Sequence, residues 1–376
     1  MEKLVEFRRL LHRFPDSSGK ENATAEKLLD FIRDCKPDVI IPNIGGHGMA
    51  WVYNGKPGHK TIMFRCELDA IPADEINDIP YASENPGVAH LCGHDGHMAV
   101  MAGLAKMICK EKKRKVRVVF LFQPEEETGQ GAEKVLKSEE FQKFIPDYIL
   151  AVHNLPGFPT GTVVLSKSVF SSASCGMIIR LQGKTAHAAE PEKGNNPSLA
   201  VSDIIREFNA LSLRRQLFKD FVKLTLIHVS IGEVAFGTSP GKAVVMSTLR
   251  AFREDDMRML ISNAENISKH IARQYGLQYD ISFTEEFPVV KNNPMLVDMV
   301  EKVAGEMGMK MMELITPMKW SEDFGHFTDA FPAALIGIGS GQDQPELHNP
   351  DFDFPDDLLK PSVDLLFGMY SRINDL

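Results

Sequence analysis

Residues 91–97 read Leu-Cys-Gly-His-Asp-Gly-His, placing one thiol, two imidazoles and one carboxylate within six positions separated only by glycine. Thiol and imidazole are soft and borderline metal ligands, so this density points to metal binding or catalysis. Cys92 and His94 are two positions apart, and on extended backbone their side chains fall on the same side and can converge on one point. Gly93 and Gly96 let the chain turn tightly and approach an ion. The apolar stretch Met98–Met107 then reads as a helix whose N-terminus faces the cluster and favours a thiolate.

Four further groups follow predicted strands or lie in loops: Arg65-Cys66-Glu67-Leu68-Asp69, Gln123-Pro124-Glu125-Glu126-Glu127, His153-Asn154 and Glu346-Leu347-His348-Asn349. In α/β sheets ligands gather at the C-terminal ends of strands. Alone, each group has an ordinary reading. His153 could bond backbone, the glutamates could oppose a helix dipole, Asp69 could cap a turn, and His348 sits in a surface-type loop. Their joint occurrence at strand ends offers thiolate, imidazole and carboxylate from distant sequence, the donor set of a hydrolytic divalent metal site.

The elements that must position these groups are short, nearly all-apolar strands at Gly48–Tyr53, Thr61–Cys66, Val116–Phe122 and Asp147–His153, with helices at about 2–13, 20–35 and 131–138. Such alternation predicts an α/β domain with a central, mostly parallel sheet covered on both faces. From Cys175 to Glu285 the order becomes β-α-β-β-α-β, a ferredoxin-like α+β arrangement and a plausible satellite domain. Pro288 and Asn292-Asn293-Pro294 mark its exit, and Ala333–Gly339 resumes the strand pattern. The expected division is 1–170 with 289–376 as the catalytic metal-binding domain, interrupted by a satellite dimerisation or lid domain at 171–288.

Composition sets bounds. The chain has 376 residues, 43% hydrophobic and 25% charged, as in a globular protein of about two domains. A net charge of −9 argues against nucleic acid or an anionic membrane as partner. The one dense basic run, Lys110–Lys115, reads as a solvated loop between a helix and a strand. The N-terminal helix has no apolar h-region, and no apolar run reaches the ~18 residues of a membrane span. Five cysteines scattered at 35, 66, 92, 109 and 175 suit reduced thiols, so a cytoplasmic location is expected.

Taken together, Arg65-x-Glu67-x-Asp69-Ala-Ile-Pro, Cys92-Gly-His94-Asp-Gly-His97, Gln123-Pro-x-Glu126-Glu127, Val152-His153-Asn154, Gly183-Lys-x-Ala-His187-Ala-Ala, Ser321-Glu-Asp-Phe324 and Leu347-His348-Asn349-Pro350 carry a resemblance over nearly the whole chain. The sequence resembles the dinuclear metal amidohydrolases that include hippurate hydrolase, N-acyl-amino-acid deacylases, auxin-conjugate hydrolases and bacterial carboxypeptidases, in the branch whose site contains cysteine. The resemblance implies that Cys92, His94, Glu127, His153 and His348 bind two divalent ions, with the Cys92 thiolate bridging. It implies Glu126 as general base, Asp69 as the residue orienting a ligand, and His97 as structural. It further implies that His187 reaches the partner subunit's active site in a homodimer joined through the satellite domains, and stabilises an oxyanion there.

Three positions depart from the family pattern. Glu125 stands where relatives carry a small residue, and counting from Pro124 puts base and ligand at 126 and 127. Glu67 replaces a common aspartate, and Gly237 a common asparagine. Arg250, on a predicted satellite strand, is a candidate clamp for a substrate carboxylate.

The expected function is hydrolysis of the amide bond of a small N-acyl amino acid, of N-acetyl or N-benzoyl type, by metal-activated water. The same chemistry on short peptides, as a carboxypeptidase or dipeptidase, is the alternative. A zinc-binding module without activity is disfavoured by Glu126 beside a full ligand set, and a mononuclear site is a third possibility. Zinc or manganese is expected, with cobalt and nickel also compatible with such ligands.

Overall fold

The computed structural model describes residues 1–376, which divide into two compact units. The first comprises Met1–Phe170, Val290–Pro317 and Asp323–Leu376, and the second Ser171–Val289 with Met318–Glu322.

The first unit is built on an eight-stranded sheet in the order Val39–Ile44, Gly48–Tyr53, Arg117–Gln123, Thr61–Glu67, Tyr148–Pro156, Ala333–Gly341, Val163–Leu165, Met311–Glu313. Its centre is parallel: Thr61–Glu67 pairs in parallel with both Arg117–Gln123 and Tyr148–Pro156, and the latter in parallel with Ala333–Gly341. The expected α/β architecture is therefore present. Antiparallel pairings lie nearer the edges, at Val39–Tyr53 and where Val163–Leu165 meets Ala333–Gly341. The central strands are buried along almost their whole length because helices cover both faces.

The helix His94–Ile108 is buried nearly all round, consistent with its almost uniformly apolar sequence. It packs against the first helix, Glu2–Arg13, and the last, Leu359–Asn374. The helix expected at 20–35 is shorter: it ends at Phe31, a single 3₁₀ turn spans Arg33–Cys35, and Lys36 turns the chain at φ 41°.

The second unit runs Ala173–Gln182, helix Ser198–Leu211, Val222–Ile231, Lys242–Ala251, helix Glu254–Gln274 and Gln278–Phe287. Its four strands form an antiparallel sheet in which Ala173–Gln182 lies between Lys242–Ala251 and Gln278–Phe287. Strict alternation explains its one-sided core. Cys175, Met177, Ile179 and Leu181 are buried, whereas Arg180 and Gln182 are exposed.

Candidate active site

Asp69, Cys92, His94, Glu126, Glu127, His153 and His348 come together in the first unit, around the C-terminal ends of its parallel strands. Gly93 begins this arrangement. It caps the cluster helix at φ 96°, and a Cβ there would lie 2.3 Å from Asn154 Oδ1, so only glycine fits.

The histidines are oriented by backbone carbonyls. His94 Nδ1 donates to the Asp69 carbonyl at 2.8 Å and His153 Nδ1 to the Asn154 carbonyl at 2.8 Å. Both Nε2 atoms therefore carry lone pairs, directed towards the thiol and the glutamates. Cys92 Sγ lies 3.7 Å from His153 Nε2, and His94 Nε2 lies 3.7 Å from Glu126 Oε2 and 3.8 Å from Glu127 Oε1. His348 Nε2 is 3.5 Å from Glu127 Oε2. The His348 side chain is half exposed; partial desolvation, with the nearby His94, lowers its imidazole pKa.

Of the three consecutive glutamates, only two face this centre. Glu125 adopts φ 54° and turns its carboxylate to Lys134 Nζ at 2.6 Å. That left-handed residue is what aims Glu126 and Glu127 together at His94. Asp69 supports both sides: its carbonyl fixes His94, while its Oδ2 accepts from the Glu127 N–H at 3.0 Å and Ser18 Oγ at 2.7 Å.

Beneath the candidate ligands lies a buried polar network, of which the sequence reading assigns only His97, as structural. Arg65 donates to Gln123 Oε1 at 2.8 Å and Asp323 Oδ1 at 2.7 Å, and pairs with Glu67. Glu67 accepts from His97 Nδ1 at 2.7 Å, and His97 Nε2 lies 2.7 Å from Asn154 Oδ1. Burial alone would raise the Glu67 carboxyl, but Arg65 and His97 outweigh it and hold it well below the usual carboxylate range. One signal was available in the sequence. Two charges at i and i+2 in an otherwise apolar strand, Arg65 and Glu67, share a face and must be satisfied internally. Asp323 enters the sequence reading only inside the Ser321–Phe324 motif of the resemblance, and nothing ties it there to Gln123, 200 residues away.

Asp95 does not face the centre. It turns to the N-terminal helix, accepting from His12 Nδ1 at 3.0 Å and Arg8 at 3.3 Å. His187 and Arg250 lie in the second unit. His187 is exposed, its Nδ1 accepting from the Ala189 N–H at 3.1 Å, which leaves the neutral ring's proton on Nε2. Arg250 donates to the Lys319 carbonyl at 3.1 Å and Ser321 Oγ at 2.8 Å, both neutral oxygens, and burial lowers its guanidinium pKa.

The donor set fits divalent metal. Cys92, His94 and His153 place one ligand atom each within 4.8 Å of one another, as do Cys92, Glu127 and His348, so the thiol is common to two groups. His94 Nε2 is buried without a hydrogen-bond partner, a cost that a cation would offset. The sequence profile described as peptidase family M20/M25/M40 matches residues 63–371. The chain belongs to this family. It is an amidohydrolase. It is 30% identical over 372 residues, 99% of each chain, to an N-acetyldiaminopimelate deacetylase of Exiguobacterium sibiricum. A second protein of that name, from Bacillus velezensis, is 26% identical over 99% of this chain and 98% of its own. The Bacillus subtilis YxeP crystal structure, described as a dinuclear metal binding peptidase from the M20 family, shares the fold with a TM-score of 0.83 at 23% identity, covering 100% of this chain and 98% of that one. No helix is long and apolar enough to cross a membrane.

Proposed function

We propose that the protein is a metal-dependent deacylase that hydrolyses the amide bond of small N-acyl amino acids, with N-acetyl derivatives as the leading class. The observation that carries this reading is Glu126, a buried carboxylate set beside a convergent thiol–imidazole–carboxylate donor set. The N-acetyl preference draws on the deacetylase name of the relative that is 30% identical along the full length.

Cys92, His94, Glu127, His153 and His348 would hold two divalent cations, zinc or manganese, with Cys92 shared between them. When bound, such ions acidify a water and polarise an amide carbonyl. The chain supplies the remaining steps. Glu126 Oε2 accepts the water proton as the new C–O bond forms. The same oxygen returns the proton to the amide nitrogen as the C–N bond breaks, releasing the amine and the carboxylate. Asp69 fixes His94 and the Glu127 backbone through the contacts described above. In a homodimer, His187 Nε2–H of one subunit would donate to the developing oxyanion in its partner's site. Arg250, whose acceptors are neutral, would take the substrate carboxylate.

The test is turnover by purified, metal-loaded protein of N-acetyl and N-benzoyl amino acids beside dipeptides, each with zinc, manganese, cobalt or nickel. Release of amino acid from the N-acetyl series supports the reading. Cleavage confined to dipeptides replaces it with the peptidase alternative, which the description of the YxeP neighbour favours.

A further inference from the structure

We propose that Asp323 is a positioning residue for the Glu126 carboxylate, so that the base is aimed by the Arg65 network beneath the ligands. The proposal rests on reading Glu126 as the base. Asp323 is fully buried, and its carboxylate is caught from three directions. Arg65 Nη2 reaches Oδ1 at 2.7 Å, Gln123 Nε2 reaches Oδ1 at 2.9 Å and Oδ2 at 2.8 Å, and the Ala132 N–H reaches Oδ2 at 2.8 Å. The donors come from the ends of two adjacent parallel strands and from the helix Gly131–Lys137. A carboxylate tied this way fixes its own backbone as well as its side chain.

That backbone meets the base. The Asp323 N–H donates to Glu126 Oε1 at 3.5 Å, a long contact of the kind that tightens when a site fills. With Oε1 turned to this amide, Oε2 is the oxygen on the His94 side, 3.7 Å from Nε2. The same arginine carries a second arm. Arg65 holds Glu67, Glu67 holds His97, His97 meets Asn154, and the Asn154 carbonyl orients His153. Base and ligand are thus referred to one buried guanidinium, so their separation is set by the network rather than by the loops that carry them.

A purely structural ion pair and a positioning residue differ in how they couple to Glu126. Asp323→Asn should lower kcat by ~10–100-fold with KM and bound metal unchanged. In a Glu126→Gln background the same change should cost almost nothing more, because a residue acting through the base has nothing left to position. Gln123→Leu, which removes one donor and spares the Arg65 pair, should give a smaller loss with the same non-additivity, and decides the matter if Asp323→Asn fails to fold. Unchanged kcat in both variants, a rise in KM alone, or full additivity with Glu126→Gln would overturn the proposal. Full activity of Glu126→Gln by itself would instead remove the reading of Glu126 as base.

Discussion

Glu126 and Glu127 are chemically identical neighbours whose proposed tasks differ by what each faces. Glu127 is tied through its backbone to Asp69 and approaches both His94 and His348, whereas Glu126 leans on the Asp323 amide. Glu126→Gln preserves size and removes the proton acceptor. It should lower kcat by roughly 10²–10⁴-fold while elemental analysis finds the same metal content, and turnover at the normal rate would exclude Glu126 as the base. At this scale the sequence was informative where ligand types were dense. Cys92 and His94 of the first run, Glu126 and Glu127 of the triplet, and the two outlying histidines sit at one centre. Counting from Pro124 put base and ligand at 126 and 127, and it is Glu125 that turns away, through its positive φ and its pairing with Lys134, neither of which a register count contains. Asp95, a carboxylate within the same run as Cys92 and His94, turns instead to Arg8 and His12, and a single sequence carries no mark of the side to which a helix turns such an acid.

The cluster helix His94–Ile108 and the first helix Glu2–Arg13 are joined by that buried charge cluster, which has a pH signature. Burial opposes charge on His12, but hydrogen bonds to Asp95 and Glu75 outweigh it and push the imidazole up to about 9. A folded-state pKa above the ordinary 6.5 means the contribution to stability is complete below about 6.5 and is lost as pH rises through about 9. The midpoint of denaturant unfolding should therefore fall over this window in the parent protein and fall less in His12→Gln. Parallel curves for the two proteins would show that His12 stays neutral in the fold. Both helices were legible from their apolar patterns, and so were the long strands. The short strands Val163–Leu165 and Met311–Glu313 were not, since three residues carry too little periodicity to register.

For the whole molecule, the proposed exchange of His187 between subunits makes a prediction about mixtures. Glu126→Gln and His187→Ala homodimers should each be nearly inactive. Random reassortment of the two should restore about a quarter of parental activity, because half the dimers are mixed and each has one intact site. No recovery after verified subunit exchange would confine His187 to its own chain. The α/β class followed from apolar runs alternating with helices, but strand order did not. Ala333–Gly341 lies between Tyr148–Pro156 and Val163–Leu165, a long-range pairing that local pattern cannot encode. That placement has a consequence for biosynthesis. At ordinary elongation rates roughly ten to forty seconds separate emergence of these two neighbours. Throughout that interval the nascent sheet presents a long, apolar, unpaired edge at its very centre. The last candidate ligand, His348, follows the strand that fills this gap by seven residues, so the proposed site cannot be complete before the gap can close.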